Sequence, residues 1–262
     1  MYAATEPDGV MRTKNFLIRT DRRLRFLDQR EVVCDAAPLR EDPVRGLEDA
    51  RLFSRRGDPG FTCVTTEHHP AGRVRIALAS IGDGGSGVRP VALSGFGDDR
   101  PQKNWLPFTD PATGDLLAVY GFDPLVVLRV DPESGIVAPL FDRPQGRNFS
   151  RFRGSAGPVV LPASAGGGRL AIVHEVAFQG RRYYLHRFLR IDDDWRVVEA
   201  SRPFFFLRRG IEFPCGAALA HGEEDLPITF GVEDREAWLC RIRLDTVTAL
   251  LRPLPDWPPK RG

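Results

Sequence analysis

The stretch Gly46-Leu47-Glu48-Asp49-Ala50-Arg51 sets charged residues directly before the apolar pair Leu52-Phe53, and similar segments recur along the chain. We call these segments heads, and they begin near residues 14, 48, 103, 153 and 212. From the second head onward the steps are 55, 50 and 59 residues. A period of about 50 residues, with about four short strands in each repeat, is typical of a β-propeller. We therefore predict an all-β protein in which residues 1–262 form a single five-bladed β-propeller domain.

The composition agrees with this prediction and excludes several classes of protein. The 26 Gly and 22 Pro residues predict many turns and no long helix. The Pro-rich tail, residues 253–262, is expected to pack loosely. A net charge of +2 lacks the basic excess typical of proteins that bind nucleic acid or anionic membranes. No apolar run reaches the ~18 residues of a membrane helix, so we expect neither nucleic acid nor a membrane as partner.

The cysteine and histidine spacing predicts no metal site. The four Cys residues form no C-x-x-C pair and have no closely spaced His partner, as a zinc site would require. His68 and His69 are adjacent, which is not the spacing of metal ligands on one helix or strand face. We expect buried thiols in a reducing compartment. Because no signal-peptide pattern opens the chain, we predict a cytoplasmic protein.

Polar residues at each head indicate a polar pocket, because the inner strands of a propeller converge on its centre. Charges at the start of an apolar strand are costly unless they face a polar cavity, although a surface ion pair or turn cap is the structural alternative. Trp105 has two equally weighted interpretations, a face for a sugar ring or an ordinary core residue. The expected pocket residues are Asp49, Arg51, Lys103, Asn104, Arg153, His174, Glu212 and Asp234.

Two further segments supply candidates. His174-Glu175 follows the apolar run Leu170–Val173, so we expect this pair at the end of a strand, on a rim or channel. Tyr184 and His186 lie on the next predicted strand and share one face, because strand side chains alternate. Several carboxylates facing one pocket are what glycosidic bond cleavage needs, one as acid and one as base or nucleophile.

These segments, taken in order, are similar to a known family. They resemble the five-bladed propellers of the β-mannoside phosphorylases and hydrolases, glycoside hydrolase family 130, and related bacterial proteins labelled glycosyltransferase-like. The resemblance extends over about residues 14 to 244. The matching segments are residues 46–51 (E-D-P-R in the family), 103–108 (K-D, an apolar pair, then F-P), 173–175 (Y-H-G), Tyr184, the stretch 203–216 with Glu212, and 230–234 (Y-Y-G-A-A-D).

The resemblance implies roles for individual residues. Asp49 and Arg51 would hold the sugar in the cleavage subsite. The resemblance implies inorganic phosphate as a co-substrate and no other cofactor. The candidate catalytic residues are Asp49, Glu212 and Asp234; the candidate substrate-binding residues are Glu48, Arg51, Lys103, Asn104, Trp105 and Asp123; and the resemblance places bound phosphate near Arg153, His174 and Tyr184.

The chain also departs from the family pattern. The family's general acid is an Asp, and here that position is Asn104, whose amide cannot donate a proton as an acid does. Ala50 replaces a proline. The resemblance begins only near residue 14, so we expect the first blade to lack the family's N-terminal segment and the C-terminal strand to complete it.

Two functions follow from these observations. The first is a carbohydrate-active enzyme that cleaves or phosphorolyses mannosides or related sugars, with Asp49, Glu212, Asp234 or Asp123 supplying the acid. The second is a non-catalytic sugar-binding or glycosyltransferase-associated propeller. Asn104 favours the second, whereas the retained acids and His174 favour the first. Either function implies an oligosaccharide or glycoside as partner.

Overall fold

The structure is a computed structural model, and it describes residues 8–69, 71–82, 87–219 and 224–254. These described residues contain one α-helix, α1 (Leu244–Leu250), and one 3-10 turn, Ala163–Ala165. The strands are β1 (Met11–Arg12), β2 (Asn15–Thr20), β3 (Phe26–Cys34), β4 (Val44–Arg45), β5 (Glu48–Arg55), β6 (Asp58–Thr65), β7 (Arg75–Ser80), β8 (Gly87–Val88), β9 (Val91–Ala92), β10 (Leu106–Thr109), β11 (Leu116–Phe122), β12 (Leu125–Val130), β13 (Val137–Arg143), β14 (Arg153–Val160), β15 (Arg169–Gln179), β16 (Arg181–Ile191), β17 (Val197–Ser201), β18 (Glu212–Ala217), β19 (Asp225–Val232), β20 (Glu236–Arg243) and β21 (Leu251–Pro253).

The strands form five blades, which confirms the predicted five-bladed β-propeller. The blades have the strand orders β2-β3-β8, β5-β6-β7-β9, β10-β11-β12-β13, β14-β15-β16-β17-β21 and β18-β19-β20, and β1 pairs with β4 separately. The first, second, fourth and fifth blades each begin with antiparallel neighbours in sequence order. The first strands of the blades begin at Asn15, Glu48, Leu106, Arg153 and Glu212, close to the predicted heads.

The chain divides into two compact units. The first unit contains Met1–Lys103, Thr109–Leu116 and Val130–Ala138, and holds the first and second blades. The second unit contains Asn104–Phe108, Leu117–Arg129 and Pro139–Gly262, and holds the fourth and fifth blades with most of the third. That residues 1–262 form a single domain stays a prediction.

The core of the second unit is built on both faces of β15. Ala171 and Val173 belong to a buried cluster with side chains of the third blade, whereas Leu170 and Ile172 belong to a buried cluster with side chains of the fifth blade. This division follows from the alternation of side chains along a strand. His174 therefore lies on the face toward the fifth blade, and Glu175 lies on the opposite face. The first unit has its own core, which includes Leu47, Phe61, Cys63 and Ala77.

One expectation from the sequence differs from the structure. The C-terminal strand β21 pairs with β17 at the edge of the fourth blade, so it does not complete the first blade. Strand β13 contains Pro139, and an edge strand tolerates a residue without an amide hydrogen. In the first blade, Asp21 caps the turn before the second strand, Phe26–Cys34, through the Arg23 and Arg25 amides.

Part of one predicted segment, residues 255–262 of the Pro-rich tail, lies outside the described residues. Within the described part of the chain, no helix is long and apolar enough to span a membrane. The cysteines Cys34, Cys63, Cys215 and Cys240 are free thiols, and burial raises the pKa of Cys63 to about 12.

Candidate functional site

The three blades of the second unit present their heads at equivalent edges. Asn104 precedes β10, Arg153 opens β14 and Glu212 opens β18. The turn between the second and third strands of each blade lies at this same edge, because the strands are antiparallel. These turns contain Asp123, Gly180 and Asp234, respectively. We call this edge of the second unit the head edge.

The hairpin of β15 and β16 projects past the start of β14. His174 pairs in register with Arg153 on one side and His186 on the other, and β15 then continues to Gln179. The expectation that His174-Glu175 ends a strand is therefore wrong. The segment Phe204–Gly210 runs beside the projecting part, where its carbonyls accept hydrogen bonds from the backbone amides of β16. The hairpin thus gains a backbone partner that the alternation of apolar residues did not reveal.

His174 is buried in a connected cluster. Its Nδ1 atom lies 2.7 Å from Ser155 Oγ, in a β-bulge of β14. Its ring centre lies 4.8 Å from that of Tyr184 and 5.6 Å from that of Phe213. The guanidinium group of Arg182 stands over the Tyr184 ring at 4.9 Å and donates a hydrogen bond to the Tyr184 hydroxyl. His174 and Tyr184 are only 3% and 7% exposed, so they support the head edge from beneath rather than lining it.

A glycine is required beside this cluster. A Cβ atom on Gly154 would lie 2.3 Å from the backbone oxygen of Asn104, well inside van der Waals contact. Only glycine allows the head of β14 to approach the head of the third blade so closely. Asn104 itself has φ of 63°, in the left-handed region that asparagine tolerates better than most residues.

Glu212 anchors a loop. It is 0% exposed, and its carboxylate accepts hydrogen bonds from the backbone amides of Phe206 (2.7 Å), Leu207 (2.8 Å) and Arg208 (2.8 Å). These amides belong to the segment that lies beside β16. A buried carboxylate that accepts three backbone amide hydrogens anchors the loop, and the catalytic role of Glu212 stays a prediction.

His186 lies next to that carboxylate without a hydrogen bond. Its Nε2 atom is 3.7 Å from Glu212 Oε2, and neither ring nitrogen has a hydrogen-bond partner in the described part of the chain. The ring packs against Phe204 and Phe206. Burial among these side chains disfavours the charged imidazolium and lowers the pKa of His186 to about 3.

The other acids of the head edge differ in accessibility. Glu175 forms an ion pair with Arg187 at 2.8 Å on the face toward the third blade. Asp123 is half-buried in its turn, whereas Asp234 is exposed. Asp234 and Glu233 have φ of 53° each, and the Arg235 amide bonds to the Val232 carbonyl, which closes a tight turn. Asp123 and Asp234 are therefore the acids of this edge that could meet a ligand.

The remaining substrate-binding candidates fall into two groups. Trp105 is 2% exposed and packs on Tyr120 at 5.4 Å, so the structure favours its core interpretation over a sugar-stacking one. Arg153 of the phosphate-binding set is exposed at the start of β14.

The other candidates belong to the first unit. Glu48 and Asp49 are half-buried at a β-bulge, and Asp49 has φ of 54°. Arg51 is 2% exposed and donates a hydrogen bond to the backbone oxygen of Asp49 at 3.1 Å. Lys103 is exposed. Their roles in sugar binding stay predictions.

Sequence reasoning missed a group of arginines at the head edge. A surface depression of about 430 Å³ lies there, lined by Arg181, Arg208, Glu233, Arg235 and Glu236. The pairs Arg181-Arg182 and Arg208-Arg209 were the available signal, because each stands beside a glycine that marks a turn. No group of three His, Cys, Asp or Glu side chains that could hold a metal ion occurs among the described residues.

Comparison with known proteins relates this architecture to other structures. No protein-family profile matches the sequence, and a search of curated proteins finds no match. The chain is similar to the β-1,2-mannobiose phosphorylase of Listeria innocua, solved in complex with β-1,2-mannobiose, with a TM-score of 0.55 and 17% identity. The match covers 78% of this chain and 60% of the phosphorylase, so this chain spans less than two thirds of that protein. An exo-1,5-α-L-arabinanase from a bovine ruminal metagenomic library matches with a TM-score of 0.43 and 10% identity, over 74% of this chain and 72% of that chain. At these identities, the likeness to the phosphorylase shows the propeller fold alone.

Proposed function

We propose that this chain is a carbohydrate-active protein that binds a glycoside at the head edge of the second unit. One observation carries the proposal: the third, fourth and fifth blades present polar side chains with solvent access at equivalent positions. These are Asn104, Asp123, Arg153 and Asp234. Beneath them, Ser155, His174 and Tyr184 form a buried support that fixes the fourth blade. A few placed polar groups on a preformed framework are what small-molecule sites have in common.

The proposed substrate is a mannoside or a related sugar, with inorganic phosphate as co-substrate. The motif resemblance supports this choice, and the phosphorylase with a similar fold was solved with a mannobiose. In glycoside cleavage one carboxylic acid protonates the leaving oxygen and a second carboxylate acts as base or nucleophile. The Asn104 amide cannot protonate the leaving oxygen. The Glu212 carboxylate already accepts hydrogen bonds from three backbone amides. We therefore assign the acid role to Asp234 or Asp123, and the phosphate contact to Arg153.

A second function, sugar binding without catalysis, is favoured by one specific residue. Asn104 occupies the position where the family resemblance places the general acid. An amide at that position can still donate and accept hydrogen bonds with sugar hydroxyls. The chain would then retain the pocket and lack the proton donor.

Product analysis on a panel of mannosides and glucosides, with and without phosphate, tests both functions. A sugar phosphate formed only when phosphate is present identifies a phosphorylase, and free sugar in its absence identifies a hydrolase. Asp234→Asn and Asp123→Asn should lower the turnover, whereas Asp194→Asn, an exposed acid at the opposite end of β16, should not. Binding without any product supports the second function. No product and no binding for any glycoside would refute both.

A further inference from the structure

We propose that the arginine-lined depression at the head edge binds an anionic substituent of the sugar, either a carboxylate or a phosphate ester. This inference rests on the proposed function and specifies its substrate class as acidic glycosides. It concerns side chains to which neither the motifs nor the resemblance assigns a role. These are Arg181, Arg208 and Arg235, with Glu233 and Glu236 beside them.

Three separate segments bring these arginines together. Arg181 begins β16 at the tip of the projecting hairpin, and Arg235 follows the tight turn after β19. Arg208 comes from the loop that precedes β18. All three side chains are exposed, and the depression that they line has a volume of about 430 Å³. Sites for small molecules commonly have volumes of roughly 300–1,000 Å³, so a sugar residue fits this space.

Both acids of the depression already accept hydrogen bonds from other groups of the protein. Glu236 pairs with Arg208 at 3.1 Å and accepts a hydrogen bond from Trp238 Nε1 at 2.9 Å. Glu233 Oε1 accepts a hydrogen bond from the Ile211 amide at 3.2 Å. The depression therefore has more guanidinium charge than its two carboxylates balance.

Two of the arginines form no ion pair within the described part of the chain, and the five lining side chains together carry one excess positive charge. Arg181 donates to the neutral backbone oxygen of Arg209 at 3.0 Å. Neither Arg181 nor Arg235 forms an ion pair with any residue that the structure describes. Guanidinium groups carry parallel N–H donors that match both oxygens of a carboxylate or two oxygens of a phosphate. An anion of either kind would supply the missing charge.

The loop that carries Arg208 is held before any ligand arrives. Its backbone amides bind the Glu212 carboxylate, and the Gly210 carbonyl accepts a hydrogen bond from the Tyr184 amide. The neighbouring Arg209 stacks on the Tyr183 ring at 4.1 Å and donates a hydrogen bond to Gln179. Binding to preformed groups loses less conformational entropy than binding to mobile ones. The depression thus combines unbalanced positive charge with a fixed framework.

Calorimetric titration of the full chain with mannuronic acid, mannose 6-phosphate, mannose and inorganic phosphate tests the inference. At least one acidic sugar should bind about tenfold tighter than mannose, and the tighter of the two identifies the anion. Added salt should weaken that binding, because the charges are exposed. Arg235→Gln should weaken the binding of the acidic sugar about tenfold and leave the affinity of the protein for mannose unchanged. Arg181→Gln is the second variant, and Arg196→Gln, in the turn between β16 and β17, is the matched control.

The outcomes separate this inference from the proposed function. Equal affinity for mannose and the acidic sugars, with both variants unchanged, overturns the inference and leaves glycoside binding intact. Inorganic phosphate that binds as tightly as mannose 6-phosphate, with no binding of mannuronic acid, overturns it too, because the sugar then contributes nothing. No binding of any sugar refutes both. Thermal unfolding of Arg235→Gln should match that of the parent chain, since its side chain has no partner to lose among the described residues.

Discussion

Replacing Glu212 by Gln or Ala should destabilise the protein, because the loop that precedes β18 loses its hydrogen bonds to the carboxylate. The parent carboxylate accepts three backbone amide hydrogens, from Phe206, Leu207 and Arg208, and is itself 0% exposed. A hydrogen bond to a charged acceptor contributes about 1.5–3 kcal/mol, which sets an upper bound of ~9 kcal/mol for three bonds. Leu207 and Arg208 are exposed, so water can satisfy part of what is lost. We therefore expect the free energy of unfolding to fall by about 2–5 kcal/mol for Glu212→Ala.

Urea unfolding followed by circular dichroism measures this change. A loss of that size should lower the melting temperature by roughly 10 °C in a chain of this length. Glu224→Gln is the matched control: its carboxylate is 76% exposed and pairs with Arg243 at 3.3 Å. That surface pair should contribute at most about 1 kcal/mol. A change in Glu212→Ala no larger than in the control would refute the loop-anchor assignment.

The same variants distinguish the two roles of Glu212. If Glu212 is an anchor, Glu212→Gln should lose sugar affinity together with stability, because the loop that carries Arg208 is released. If Glu212 were the acid, Glu212→Gln would bind the glycoside normally, unfold like the parent chain and fail only in turnover. The second pattern would contradict the structural assignment.

Three further predictions concern sugar binding, catalysis and pH. Asp49→Ala should abolish glycan binding if Asp49, rather than the head edge, holds the sugar hydroxyls; calorimetric affinity equal to the parent value would count against that role and leave the head-edge site intact. Asn104→Asp should create or raise turnover on a mannoside by about 10²–10⁴-fold if the rest of the site is intact; a parent chain that is already fast and a variant no faster would place the acid elsewhere. The free energy of unfolding should fall as the pH drops below about 6.5, because burial lowers the pKa of His186 and the unfolded chain therefore binds a proton that the folded chain does not. His186→Phe should remove part of that slope in unfolding experiments at pH 7 and pH 5, and an unchanged slope would show that His186 is not responsible.

The periodic pattern of the sequence was sufficient to predict the propeller. Heads spaced by about 50 residues, each followed by short apolar runs, predict blades because each run must bury one or both faces against neighbouring strands. The structure places a first strand close to every head. The fifth repeat follows the same pattern, with strand β20 over Glu236–Arg243.

Burial at the candidate site could not be predicted from the same pattern. Alternation shows which residues share a face of β15, but not that β15 continues past His174 or that a later loop covers β16. The pattern therefore predicts a rim position for His174, whose side chain is only 3% exposed. Glu212 begins a strand like the other head residues, so the pattern predicts a solvent-accessible carboxylate. In the structure, three backbone amides of the preceding loop donate hydrogen bonds to that carboxylate. Contacts between segments distant in sequence leave no local signal.

Hydrogen–deuterium exchange of the full chain with and without a bound mannoside tests the location of the sugar site most directly. The comparison is between the two ends of the blades in the second unit. Bound sugar should slow exchange in the head-edge segments, residues 104–105, 153–155, 181–184, 206–212 and 233–236. Exchange should stay unchanged in the turns at the opposite end, residues 162–168 and 192–196. Slowed exchange confined to those opposite turns, or no change at the head edge under saturating sugar, would contradict the assignment.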